Sequence, residues 1–320
     1  MSIRICLSIS AMDDEFNSLS NTLRNYAEVD VVGLDGFSLK GYDIFIGKKL
    51  NPEILNTADR LKMAFAYKTG VDDFPLEMLA EKGIGLVNSH ADADYIAEYA
   101  MGLSISLVNR ITEFDKKLRR GIWHDQKNPY WKSLFSIKIG LLGYGRIGKE
   151  IHKLLSRNNI VTYTIDRGHS YDSEKAPIKL VSSLEELCKE TDLIIISLPK
   201  TPQTNGLFNK EIFKLMQNKY LVNVGRSNCI DQKALYEALK SEYMAGAAID
   251  TWDEKPKNMH EIFLPSKYPL SELENIVLSP HQAMRVMDGH AKYVNDIQEK
   301  VIDYISGRPL RDMVDLKRGY

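Results

Sequence analysis

The predicted fold class is α/β, with two doubly wound parallel-sheet domains, Rossmann-like and flavodoxin-like. Three observations predict it. Apolar runs alternate with helical patterns from the N-terminus onward, which implies parallel strands covered by helices. A Gly-x-Gly-x-x-Gly turn at Gly143-Tyr144-Gly145-Arg146-Ile147-Gly148 joins one apolar run to one helical pattern. At 320 residues the chain exceeds an average domain and suggests two.

In the first ninety residues the expected strands are Ile3–Ile9, Val29–Leu34, Tyr42–Ile46, Leu61–Ala66 and Ile84–Asn88. Helices are expected around Glu15–Ala27, Pro52–Thr57 and Pro75–Lys82. The turn Lys68-Thr69-Gly70-Val71-Asp72 follows a strand end, where open α/β sheets place ligands. A single long helix is expected from about Asp92 to Arg120, with Ile96, Tyr99, Ala100, Leu103, Leu107 and Ile111 on one side and Gly121 ending it. It separates two αβ regions and so marks a domain boundary. A connection rich in Trp, His, Asn and Pro then covers residues 122–136.

The central stretch runs from Ile137 to Gly148. Its apolar run reads as a buried strand, and Ile147, Ile151, Leu154 and Leu155 recur at helical spacing after it. Gly143 permits the tight turn, Gly145 lets a pyrophosphate approach the backbone, and Gly148 lets the helix pack closely on its strand. Free N–H groups and the positive dipole end at the helix start favour a phosphate. A second run, Ile160–Ile165, ends in Asp166, eighteen residues beyond Gly148, where a carboxylate can accept both ribose hydroxyls of an adenosine. The stretch therefore predicts a dinucleotide site. Asp166 disfavours the 2′-phosphate of NADP, with Arg167 and His169 near enough to offset it in part.

Beyond Asp166 come a polar stretch at Arg167–Lys175, a short helix at Ser183–Lys189 and a strand at Asp192–Ser197. Strands at Tyr220–Val224 and Ala245–Asp250 flank a helix at Gln232–Ser241. The last strand, Asn275–Ser279, delivers Pro280-His281, and an amphipathic helix closes the pattern near Asp288–Ser306. No internal repeat or low-complexity segment is found.

Composition excludes several classes. Net charge is −1 and the pI about 6.7, so no long-range field selects nucleic acid or an acidic membrane. No apolar run approaches the roughly 20 residues that span a bilayer. The N-terminus carries a charge inside its apolar run and reads as a strand rather than a signal peptide. Cys6, Cys188 and Cys229 are scattered without metal-ligand spacing and read as reduced, buried thiols, which points to the cytoplasm and to no metal.

Three residues that could do chemistry follow strands of the second αβ region: Arg226, Asp250 and His281. Strand ends in such sheets face the ligand crevice. The planar fork of Arg226 can hold a carboxylate and polarise a neighbouring carbonyl, or form a salt bridge at a helix start. The ordinary pKa of a histidine, near 6.5, suits His281 to proton exchange with an alcohol, or it is a plain loop histidine.

With these motifs in order, the chain resembles the D-isomer-specific 2-hydroxyacid dehydrogenase family along nearly its whole length. The matching pieces are the Gly143–Gly148 turn with Asp166, then Leu198-Pro199-Lys200-Thr201-Pro202-Gln203-Thr204-Asn205-Gly206-Leu207, Leu221-Val222-Asn223-Val224-Gly225-Arg226, Ala247-Ala248-Ile249-Asp250-Thr251-Trp252 and Leu278-Ser279-Pro280-His281. Gly70-Val71-Asp72 and Ile96-Ala97-Glu98 match as well. The resemblance implies hydride transfer between NAD and a small 2-hydroxy acid or its 2-keto partner. It makes His281 the acid/base and Arg226 the anchor for the substrate's carboxylate and carbonyl, and sets the backbone N–H groups of Thr69 and Gly70 on the same carboxylate. Asp250 would face the nicotinamide amide. The cofactor contacts it implies are the Gly143–Gly148 turn, Asp166, Arg167, Leu198, Pro199, Thr204, Val224, Gly225, Arg226, Asp250 and His281. It further implies a substrate domain made of residues 1–92 and 284–320, an NAD-binding domain at 93–283 inserted between them, and a homodimer.

One position departs from the family frame, Asp-x-Phe/Trp-x-x-Glu-Pro, whose Glu partners the catalytic histidine. Here Asp250-Thr251-Trp252-Asp253-Glu254-Lys255-Pro256 carries Lys255 in the Glu position. An ammonium cannot accept the histidine's N–H, and its charge lowers the histidine's pKa. Glu254 substitutes after a local shift, another acid serves, or His281 works without that partner. His90 and Asp92 are further departures, in a loop of the first domain. Other readings stay open: a formate-type or phosphoglycerate-type dehydrogenase, a catalytically weak NAD(H)-binding sensor or dimerisation protein, and a Rossmann-type methyltransferase, which would not need Arg226 and His281 together.

Overall fold

The computed structural model describes residues 2–9, 14–123, 130–168, 178–258, 260–287 and 289–320. The expected polar stretch after Asp166 falls largely outside them, as does His169. In chain order, β1 (Arg4–Ser8), α1 (Asp14–Leu23), β2 (Glu28–Val32), β3 (Ile44–Gly47), α2 (Pro52–Asn56), β4 (Met63–Ala66), α3 (Leu76–Glu81) and β5 (Gly85–Asn88) come first. Next are α4 (Ala93–Val108), α5 (Ile111–Arg119), β6 (Ile139–Leu142), α6 (Arg146–Ser156), β7 (Thr162–Ile165), β8 (Ile178–Val181), α7 (Leu184–Glu190) and β9 (Leu193–Ile196). The last are α8 (Lys210–Phe213), β10 (Tyr220–Asn223), α9 (Gln232–Lys240), β11 (Gly246–Ile249), β12 (Ile276–Leu278) and α10 (Gly289–Ile305).

These elements form two compact units, residues 1–92 with 285–320, and residues 93–284. The first holds a five-stranded sheet in the order β2-β1-β3-β4-β5, all strand pairs parallel. Along β1, Ile5 and Leu7 enter one core cluster, with Val294, Ile297 and Val301 of α10, while Cys6 enters the other with Phe45 and Ala64. That alternation buries both faces of the sheet, so its strands are near-continuous apolar runs. Each buried Ile or Leu is worth about 1.5–3 kcal/mol of transfer free energy.

The second unit holds seven parallel strands in the order β12-β11-β10-β9-β6-β7-β8. Ile194 and Ile196 of β9 face one cluster and Leu193 and Ile195 the other. Strand order reverses between β6 and β9, and at such a switch point the loops beyond the strand ends diverge and leave a crevice.

The structure corrects the expected single helix between Asp92 and Arg120. Two helices occupy the stretch, and Arg110 between them is left-handed, with φ of 58°. The last turn of α4 is closed from outside: Lys132 N–H donates to Val108 O at 3.1 Å, and Asn109 Nδ2 donates to Lys132 O at 2.9 Å. Two further elements lie outside the expected set, β8 and the single turn α8. Among the described residues strand β8 pairs with β7 alone, at the sheet edge, and is half-exposed, so it lacks the continuous apolar run of a central strand.

Candidate active site

The turn after β6 shows why its glycines are needed. Gly143 has φ of 107°, and a Cβ on Gly148 would lie 2.1 Å from Gly143 O. Ser197, just after β9, donates its hydroxyl to Gly143 O at 3.1 Å and so ties the two switch-point loops together. Gly145 is different. It caps α6 in an extended conformation, is exposed, and a Cβ there would meet nothing within 4 Å. Backbone at a helix start, open on one side, is what a pyrophosphate requires. Arg146 beside it is exposed, while Tyr144 packs edge-on to His152 and Ile147 packs on the core.

Asp166 stands exposed at the end of β7, and one of its carboxylate oxygens accepts Gly168 N–H at 2.9 Å. With Arg167 it lines a cavity of about 220 Å³ completed by Leu142, Ile165, Ser182, Ser183, Leu184 and Leu207. The residues therefore fit a dinucleotide: an open phosphate cradle lies at one strand end, with a carboxylate and a half-apolar recess beside the neighbouring one.

Two loops on the other side of the switch point are held from within. Thr204 donates its hydroxyl to Pro199 O at 2.8 Å and its N–H to Thr201 Oγ1 at 3.2 Å, which closes the Leu198–Asn205 loop on itself. A Cβ on Gly225 would come within 2.7 Å of the Leu198 N and O atoms, so the β10 turn needs glycine to pass this loop. Asn223, fully buried, fastens that turn. Its Oδ1 accepts Gly225 N–H at 3.0 Å and its Nδ2 donates to Arg226 O at 3.1 Å. Val224 is buried and Arg226 half-buried. Sequence reasoning passed over Asn223; a polar residue ending an apolar strand was the available signal.

Strands β11 and β12 deliver Asp250 and His281. Asp250 is 2 % exposed, and its carboxylate accepts N–H groups from Gln282 at 2.8 Å and Ala283 at 3.2 Å, and the hydroxyl of Ser279. Its oxygens are thus engaged by the loop that carries His281. His281 itself is left-handed, with φ of 58°, and retains solvent exposure. Partial burial lowers its pKa below the ordinary 6.5, and Arg226 and Lys255 lower it further. Asp250 opposes them, through its charge and a hydrogen bond from the ring to its backbone carbonyl.

The departure at position 255 now has a geometry. Asp253 accepts Gln232 Nε2 at 2.9 Å, and Glu254 pairs with Lys267 at 3.6 Å. Lys255 is among the charges that act most on His281. Asp250 is the acid beside the ring.

Thr69 and Gly70 belong to the other unit, in the loop after β4. The Thr69 hydroxyl is shared between Ser89 O at 2.9 Å and the buried Asp92 carboxylate at 2.7 Å, and Asn88 Nδ2 donates to Thr69 O at 2.6 Å. The three cysteines are buried, and burial pushes Cys6 and Cys188 up to about 12 and Cys229 to about 11, so they are inert thiols. Among the described residues no cluster of His, Cys, Asp and Glu could hold a metal, and no helix is long and apolar enough to cross a membrane.

Comparison with known proteins agrees with this construction. The model of the D-isomer specific 2-hydroxyacid dehydrogenase NAD binding domain matches residues 101–283. Glyoxylate reductase of Thermofilum pendens is 31% identical over 265 residues, covering 81% of this chain and 76% of that protein. D-3-phosphoglycerate dehydrogenase of Methanocaldococcus jannaschii is 30% identical over 285 residues, covering 87% of this chain and 52% of that longer protein. A crystal structure of a Pyrococcus horikoshii protein superposes with a TM-score of 0.84 at 27% identity, over 98% of this chain and 96% of its own. A Rossmann unit with an open phosphate cradle and a half-matched histidine site thus has its place: the chain belongs to the D-isomer specific 2-hydroxyacid dehydrogenase family and is an NAD-dependent oxidoreductase.

Proposed function

We propose that the protein reduces a small 2-keto acid of the glyoxylate kind to its 2-hydroxy acid, with His281 as proton donor and Arg226 as substrate anchor. The observation that supports this reading is the arrival of Arg226 and His281 at the ends of β10 and β12, on either side of β11 in one sheet, close enough for the guanidinium charge to act on the ring. Relatives named glyoxylate reductase support the substrate class. NADH, when bound, supplies the hydride. Arg226 holds the carboxylate and draws charge toward the carbonyl oxygen, and His281 gives that oxygen its proton as the alkoxide forms. Solvent exposure lets the ring recover a proton from water. We also assign substrate binding to the backbone N–H groups of Thr69 and Gly70, in the unit of residues 1–92 and 285–320.

Asp166 favours NADH over NADPH, since one charge pair near 4 Å costs about 1 kcal/mol in water and about 4 at an effective dielectric of 20. A screen of 2-keto acids, run with both cofactors beside His281→Ala, tests the proposal. We expect turnover with at least one short keto acid, higher efficiency with NADH, and loss of most turnover in the variant. Full activity of His281→Ala would end the proposed mechanism. Lys255 favours a second reading, a weakly catalytic NAD(H)-binding protein, and absence of turnover across the panel with retained NADH binding would select it.

The apolar surface around α5 supports a homodimer. Trp123 lies beside Phe114 and Leu118 there, and Tyr130, Trp131 and Phe135, close along the chain, are exposed as well, Tyr130 at 99 %. Sedimentation should give twice the 36.4 kDa chain mass, and a monomer at micromolar concentration would overturn the assignment. The buried thiols and the small-acid substrate class support a cytoplasmic location, to be checked by fractionating cells.

A further inference from the structure

We propose that Tyr99 and Ser279 are positioning residues for His281 that act through Asp250, an inference that rests on His281 being the proton donor. His281 holds a left-handed backbone conformation that residues with a side chain rarely adopt, so the loop around it must be fastened on both sides. On the far side, Gln282 and Ala283 donate their N–H groups to the Asp250 carboxylate. On the near side, Ser279 N–H donates to Ile249 O at 2.9 Å, and the Ser279 hydroxyl reaches the same carboxylate.

The direction of the remaining bond follows from valence. An ionised carboxylate only accepts, so the single hydroxyl proton of Ser279 is spent on Asp250. Tyr99 Oη lies 2.8 Å from Ser279 Oγ and must therefore be the donor. Trp252 Nε1 donates to Ser279 O at 2.8 Å and fixes the peptide beside it. Tyr99 sits in the middle of α4 and packs on the core cluster of Ala100 and Leu103, so the chain Tyr99 to Ser279 to Asp250 anchors the histidine loop to a rigid helix. Linked donors of this kind polarise one another.

The charged groups that act on the ring are Asp250, which favours the imidazolium, and Arg226 and Lys255, which oppose it. With the family's Glu position taken by Lys255, registration against Asp250 is what sustains the protonated form. Cutting the chain loosens that registration and leaves the two cations in command.

Titration of the His281 Cε1–H resonance, alongside steady-state reduction of the best keto acid, tests this in Tyr99→Phe, Ser279→Ala, Ser279→Thr and the Tyr99→Phe/Ser279→Ala double variant. We expect Tyr99→Phe to lower kcat about three- to tenfold, the equivalent of one lost hydrogen bond, with KM for NADH unchanged. The His281 pKa should fall in the same variant. Ser279→Thr keeps both hydroxyl bonds and should behave as wild type, and the double variant should fall no further than Ser279→Ala alone. A folded Tyr99→Phe with wild-type kcat and an unmoved His281 titration overturns the proposal, as do additive losses in the double variant. Retained turnover in His281→Gln would instead remove the proton-donor reading, and the titration would still decide whether Tyr99 and Ser279 position the ring.

Discussion

A guanidinium and an ammonium act on His281, where the family frame supplies a carboxylate. The consequence can be signed. With His281 as the proposed proton donor, reduction would need the imidazolium, so its rate should fall as pH rises through the histidine pKa, and a pKa held below 6.5 would bring that fall to lower pH. On the same proposal, oxidation of the hydroxy acid would need the neutral ring and should extend further into acid. Lys255→Glu replaces a repelling charge with an attracting one, and the basic limb of reduction should move up by about 0.5–1.5 pH units, less at high salt because position 255 is exposed. The pH–rate profile of that variant beside wild type is the measurement. A basic limb that stays in place would mean that side chain 255 does not govern the ring.

At the scale of elements, the β6–α6 turn and the β10 turn use glycine for opposite reasons, and substitution should separate them. Gly225→Ala drives a methyl into the Leu198 backbone, so we expect a loss of about 1–3 kcal/mol or more in stability, read by thermal unfolding. Gly145→Ala meets no atom of the protein and should leave the melting temperature in place while NADH affinity drops, read by fluorescence titration. Unchanged NADH affinity would remove Gly145 from the phosphate cradle. Such turns were legible in the sequence because the central strands, buried on both faces, read as apolar runs and the turn glycines punctuate them. The break at Arg110 was not, since an arginine in the left-handed region carries no local signal and the closing bonds come from Lys132. Strand β8 escaped because an edge strand needs only half an apolar pattern. Arg226, Asp250 and His281 stood out by chemistry at strand ends, whereas Asn223, Tyr99 and Ser279 matter through bonds to distant residues or to a turn's backbone, which spacing does not encode.

At the scale of the whole molecule, one unit is assembled from both ends of the chain, and a buried cation fastens them. Lys300 of α10 is 0 % exposed; its ammonium donates to Asn88 O at 2.8 Å and pairs with Asp296 at 2.6 Å and Asp312 at 2.9 Å. Asp296 also accepts the Ser89 hydroxyl at 2.6 Å, so the end of β5, α10 and the C-terminal segment meet on one charge. Removing the lysine takes a buried cation from two part-buried carboxylates, Asp296 keeping its pair with Arg311 at 3.2 Å, and breaking a buried pair in this way costs up to about 3–5 kcal/mol. Lys300→Met should therefore lower the melting temperature by several degrees, and adding Asp312→Asn should restore part of the loss by removing one of the stranded charges. Arg119 and Asp115 on the surface of α5 form a pair of similar length, 2.8 Å, with both side chains more than half exposed. Arg119→Ala should leave the melting temperature close to that of the wild type, because solvent already screens that pair. Thermal unfolding of the three variants decides the matter: equal melting temperatures for Lys300→Met and Arg119→Ala would mean that the two ends of the chain are held by their apolar cores alone, and that the buried lysine is incidental to the join.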